Sequence, residues 1–175
     1  MKLSLSKIFI TGLVFVIMSC SKDSDAQEIE KGLNTEIAQK ILEKTNGIRK
    51  SQGKSVLIQN DEMDVLATLH SKNMITYAFF DHVDHENKAP SDRANDLSFS
   101  WSSIAENIGQ VPWFENVSSC GDTRSAEAIS SCVVEGWKNS PGHYTNMIGD
   151  YSELGVGVAF TKDSIAFFTQ VFRNP

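Results

Sequence analysis

The chain has 175 residues, the length of a single domain, enough to bury roughly 70% of the surface of its unfolded form. Its 41% hydrophobic and 22% charged residues are ordinary for a soluble globular protein. A net charge of −6, with no run of Lys or Arg downstream of the N-terminus, argues against nucleic acid as a partner, because neutralising phosphates needs a clustered basic surface.

In chain order, the first nineteen residues read as a targeting segment. Lys2 and Lys7 give a positive start, and I-F-I-T-G-L-V-F-V-I-M is an apolar stretch of signal-peptide length, too short to span a bilayer as a helix of about 20 apolar residues. It ends in I-M-S-C, and the chain turns polar at once. The pattern resembles a bacterial lipoprotein signal, which implies that Cys20 becomes the acylated first residue of the mature protein. The alternative is an ordinary cleaved signal. The implied location is outside the cytoplasm, anchored by lipid to a bacterial membrane, with the outer membrane or cell surface favoured. Removing Lys2 and Lys7 takes the charge from −6 to −8. Residues 20–33, the acylated cysteine and a polar, acidic stretch without an apolar period, are expected to form a flexible tether. Residues 34–175 are expected to form one domain.

Within that domain, Ile37, Ile41, Thr45 and Ile48 recur at helical spacing and predict a helix over 34–52, closed by Gly53. A second helix is expected from Asn60–Asp61 to about Phe79, with Met63, Leu66, Ala67, His70, Met74 and Tyr77 on one face. His70 on that apolar stripe reads as a core histidine. Residues 80–97 are a polar loop with a short helical turn after Pro90, and a strand is expected around S-I-A-E-N-I-G. A third helix spans 125–140 with Ala126, Ile129, Val133, Gly136 and Trp137 on one face. Glu135 lies about 200° around it from Val133 and so points elsewhere. A short helix over 143–148 follows. E-L-G-V-G-V-A-F and I-A-F-F-T-Q-V-F then form an antiparallel pair, whose small residues Gly155, Gly157 and Ala159 leave room for a helix or site residues to come close. Helices around hairpin strands indicate an α+β layered domain. Cys120 and Cys132, an even pair in an exported chain, suggest a disulfide; two reduced thiols are the alternative.

F-D-H with P-S-D-R, then I-A-E-N-I, W-K-N-S-P-G-H, E-L-G-V-G-V-A-F and F-F-T-Q-V-F occur in that order. Together they resemble the CAP superfamily of cysteine-rich secretory proteins, antigen 5 and pathogenesis-related 1 proteins, in its bacterial branch, over roughly residues 38–172. The resemblance implies a three-layer α-β-α sandwich around a central antiparallel sheet, with a shallow cleft. In animal and plant members that cleft holds two histidines and two glutamates. The matching positions here are His82, Glu106 and His143, while Ser140 stands where the second glutamate would be.

Two imidazoles and a carboxylate can occupy three positions on a divalent cation, zinc preferred, and leave a fourth for an activated water. No local signature such as H-E-x-x-H accompanies them. A Ser140–His143 dyad lacks the elbow and oxyanion hole that a serine nucleophile requires. His85, beside His82, reads as a solvated loop residue, with a cation site supplemented by Asp84 or His85 as the alternative, and Asn107 reads as a residue that fixes backbone. The favoured reading is a lipid-anchored binding module whose cleft engages a small ligand, glycan, peptide or protein and also takes a divalent cation. The alternatives are a metal-dependent hydrolase using His82, Glu106 and His143, and a structural envelope protein with a vestigial cleft.

Overall fold

A computed structural model describes residues 21–175; the signal segment and the acylation expected at Cys20 lie outside the described residues. The elements run α1 (Ser21–Ser51), β1 (Ile58–Gln59), α2 (Asp61–Thr76), α3 (Pro90–Asp96), β2 (Ser103–Pro112), α4 (Ala126–Lys138), α5 (Pro141–Ile148), β3 (Glu153–Phe160) and β4 (Ile165–Asn174). One four-stranded sheet has the order β1-β3-β4-β2. β4 pairs antiparallel with both β3 and β2, while the two-residue β1 lies parallel to β3.

The expected tether is helical. α1 starts at Ser21 and runs without a break into the helix anticipated from residue 34, although residues 24–32 are exposed. Ala26, Gln27, Glu28, Glu30 and Lys31 are good helix formers, and no proline interrupts them. The missing apolar period meant only that this stretch has nothing to bury. Packing against the core begins at Leu33.

The sheet separates two helical layers, as the alternation of its strands dictates. Leu154, Val156 and Val158 of β3, with Phe168 and Phe172 of β4, meet α1 and α4. Both phenylalanines are fully buried, each removal from water stabilising the fold by about 2–3 kcal/mol. On the opposite face the glycines of β3 let α2 come down almost to the backbone. A Cβ on Gly155 would lie 2.0 Å from the Met63 carbonyl carbon, and one on Gly157 2.2 Å from that of Ala67. Met63, Leu66 and Ala67 pack there with Ala94 of α3 and Val171 of β4.

Cys120 and Cys132 form a disulfide, with Cα atoms 5.5 Å apart, joining the loop after β2 to α4. Closing so short a loop contributes about 3 kcal/mol on the chain-entropy account. Trp137 is buried in the main core, and Glu135 is exposed in an ion pair with Lys138, as the helical phase of α4 required.

Candidate functional site

β2 is an edge strand, and the phase of its pairing decides which side chains reach the site. The Trp113 N–H donates to the Ser164 carbonyl, so odd-numbered residues of β2 turn their backbone groups to β4 and even-numbered ones turn theirs outward. Three of the outward carbonyls are capped by side chains. Asn146 Nδ2 donates to Glu106 O at 3.1 Å, Trp137 Nε1 to Ile108 O at 2.7 Å, and Thr123 Oγ1 to Pro112 O at 2.5 Å. Capping protects the edge from other chains and fixes α4 and α5 against it.

α5 carries His143, and two sets of bonds hold that helix in place. A buried amide chain crosses the sheet. Gln170 Nε2 donates to Thr45 Oγ1 (2.9 Å), Asn107 Nδ2 to Gln170 Oε1 and to the His143 carbonyl (3.2 Å each), and Asn146 Nδ2 to Asn107 Oδ1 (2.9 Å). At the other end of α5, buried Arg49 donates to the carbonyls of Met147 (2.9 Å), Gly149 (2.8 Å) and Tyr151 (3.2 Å). These would otherwise be carbonyls without partners at a helix end. The helix begins at Pro141, two residues before the expected start, because proline suits the first helical position. His143 is half-buried, and that burial together with the charge on His82 lowers its pKa below 6.5.

Glu106 points to the other side of β2, toward α2 and α3, and its side chain is 1% exposed. Its Oε2 accepts from Arg93 Nη2 at 2.6 Å, and its Oε1 accepts from His82 Nδ1 at 2.9 Å. His70 Nε2 lies 3.6 Å from the same Oε1 and donates to the Asp81 carbonyl at 3.0 Å. Arg93 also ties down the loop that carries His82, since its Nη1 donates to the carbonyls of His82 (2.7 Å) and Lys88 (2.8 Å). The Glu106 bond raises the pKa of His82 despite partial burial, whereas burial lowers that of His70. With Nδ1–H committed to the carboxylate, the free nitrogen of His82 is Nε2, the tautomer that a carboxylate partner usually selects.

The structure therefore joins His82 to Glu106 directly and puts His143 within electrostatic reach of His82. Beside His143 a groove of about 340 Å³ runs along Ile108–Val111, past Gly136 and Ser140, to the disulfide; it is not lined by His82 or Glu106. Ser140 precedes α5 and makes no side-chain cap bond. Asp84 accepts the N–H groups of Glu86 and Lys88 (2.9 Å each) and so shapes the loop. His85 is exposed and stacks on Tyr77 with ring centroids 3.4 Å apart. Trp113 rests edge-on against Phe160.

Residues 42–172 match the model of the cysteine-rich secretory protein family, CAP. The chain belongs to this family. The CAP domain is 28% identical to the Bacillus subtilis (strain 168) protein YkwD over 134 residues, which make up 76% of the chain and 45% of that relative. It thus spans about half the length of that curated relative. An extracellular protein containing an SCP domain from Bacillus anthracis has the same fold, with TM-score 0.66 and 23% identity over 94% of this chain and 45% of its own. So does an outer surface protein from Borrelia burgdorferi, with TM-score 0.62 and 18% identity over 76% of this chain and 88% of its own.

A divalent cation held on His82, Glu106 and His143, the expectation from the sequence, would meet a donor set that fits it in part. His82 Nε2 and His143 are imidazole donors not committed to the Glu106 bond. The third donor of a His2Glu set does not fit, because both oxygens of Glu106 are already engaged, one by a guanidinium. Among the described residues no group of three or more His, Cys, Asp or Glu side chains is placed to hold a metal ion. In the sequence, Arg93 carries no visible role within P-S-D-R, and His70 reads as a core histidine ahead of a ligand. Each is buried, as a core reading requires, yet both border Glu106.

Proposed function

We propose that the chain is an exported, lipid-anchored CAP domain that acts as a binding module, with a cleft that takes its ligand on the imidazoles of His82 and His143. The observation that carries this reading is the state of Glu106. A carboxylate held by Arg93 at 2.6 Å and His82 at 2.9 Å orients its neighbours and is not free to serve as a general base. One imidazole at the groove, that of His143, and a second within electrostatic reach of it, that of His82, suit a peptide, glycan or small polar ligand, and they can also hold a divalent cation loosely. Export is supported by the signal-like N-terminus and by two structural relatives described as extracellular and outer surface proteins. Among the described residues no helix is long and apolar enough to cross a membrane. The attachment point in this reading is Cys20, on the strength of the lipoprotein-like I-M-S-C that it closes.

Two assays test the proposal. Cell fractionation of the wild type should place it with membranes, and Cys20→Ser should release it; a variant that stays with the membrane contradicts lipid anchoring. For the cleft, zinc-loaded protein incubated with casein should yield no cleavage above a His143→Ala control. Turnover that disappears in His143→Ala would establish the hydrolase instead.

A further inference from the structure

We propose that Arg93 determines what the cleft can bind: its guanidinium fills the place beside Glu106 that a cation would take, leaving a ligand two imidazoles and no free carboxylate. The inference deepens the binding-module reading and rests on it. Glu106 is buried with a fixed positive charge 2.6 Å from Oε2. A guanidinium stays protonated in proteins, so it cannot yield the carboxylate to a metal by losing a proton. Nor can it swing away readily, because its Nη1 is held by two carbonyls of the His82 loop at 2.7 and 2.8 Å and the side chain is 7% exposed. The remaining oxygen is taken by His82 Nδ1, with His70 Nε2 also near it. A dication drawn to Glu106 would have to displace one of these partners and sit against the guanidinium charge. Charge-assisted, buried hydrogen bonds of this kind are the strong ones.

This arrangement makes Arg93 a positioning residue for His82 as well. Through Glu106 it fixes the Nδ1–H tautomer, and through the His82 carbonyl it fixes the loop, so His82 Nε2 is the nitrogen offered to a ligand.

The test titrates zinc into the mature protein and follows the histidine ring nitrogens by NMR, for wild type, Glu106→Gln, Arg93→Met and the double variant. Arg93→Met should bind zinc at least tenfold more tightly than wild type, because it frees Glu106, and the gain should vanish in the double variant. A folded Arg93→Met no tighter than wild type, or a gain that persists undiminished in the double variant when it is referred to Glu106→Gln, overturns the inference. The uncombined wild type supplies a further arm that needs no substitution. Its His82 should carry its proton on Nδ1; a proton on Nε2 with Nδ1 bare overturns the inference even where Arg93→Met does not fold. The binding-module reading fails differently, through ring signals of His82 and His143 that stay indifferent to ligands in every variant.

Discussion

At the scale of single residues the site is governed by one buried carboxylate and its partners. Replacing Glu106 by Gln keeps the shape but leaves Arg93 a buried cation without its counter-ion, which costs about 3 kcal/mol or more; urea unfolding measures it. The histidines add a pH dependence of two signs. The pKa of His82 is raised above 6.5, so the stability from its protonated form is fully present below pH 6.5 and is lost as pH rises through the higher folded value. The values of His70 and His143 are lowered, so the unfolded chain takes up their protons first and stability falls as pH drops below 6.5. Glu106→Gln removes the first contribution. Thermal unfolding from pH 5 to 8 should therefore show the variant losing more of its stability relative to wild type at the acid end, and NMR titration should show the His82 pKa reduced. An equal loss at all pH values would mean that His82 and Glu106 are not coupled.

At the scale of elements, β3 and α5 carry the consequences. The near absence of side chains on one face of β3 is what lets α2 pack on its backbone. Gly157→Ala would put a methyl group 2.2 Å from the Ala67 carbonyl carbon and force α2 outward; a loss of about 3 kcal/mol or failure to fold is expected by denaturant titration. Arg49→Met would leave carbonyls at the end of α5 without their charged donor, lowering stability by about 3 kcal/mol and loosening the helix that bears His143. Hydrogen exchange in 141–148 should quicken more than in β3. The sequence pattern made the helices, the hairpin strands and the glycine face legible because each repeats a residue type at a fixed period. It left β1 invisible, since two residues carry no period. It also left Arg49 and Arg93 silent, because a buried arginine looks like a surface one until its carbonyl and carboxylate partners, 98 and 13 residues away, are brought to it.

At the scale of the whole molecule, the α-β-α sandwich places its site at the protected edge of β2, between the two helical layers. Glu106 and His82 approach from one side and His143 from the other. The three motifs carrying them were recognisable in order, whereas the pairing of Glu106 with Arg93 was not, because it depends on how α3 docks. The disulfide braces the wall of the groove beside His143. Reduction, or Cys120→Ser with Cys132→Ser, should lower stability by about 3 kcal/mol while leaving the His82–Glu106 bond intact, which calorimetry and the His82 ring signals can follow together.

The central claim is that His82 and His143 act as one ligand-receiving pair, and the histidine ring signals of the wild-type protein during addition of zinc test it most directly. The account predicts that the signals of His82 and His143 move together at the same zinc concentration, while buried His70 and stacked His85 stay in place. Movement of His85 or His70 in their stead, or of His82 without His143, would contradict it.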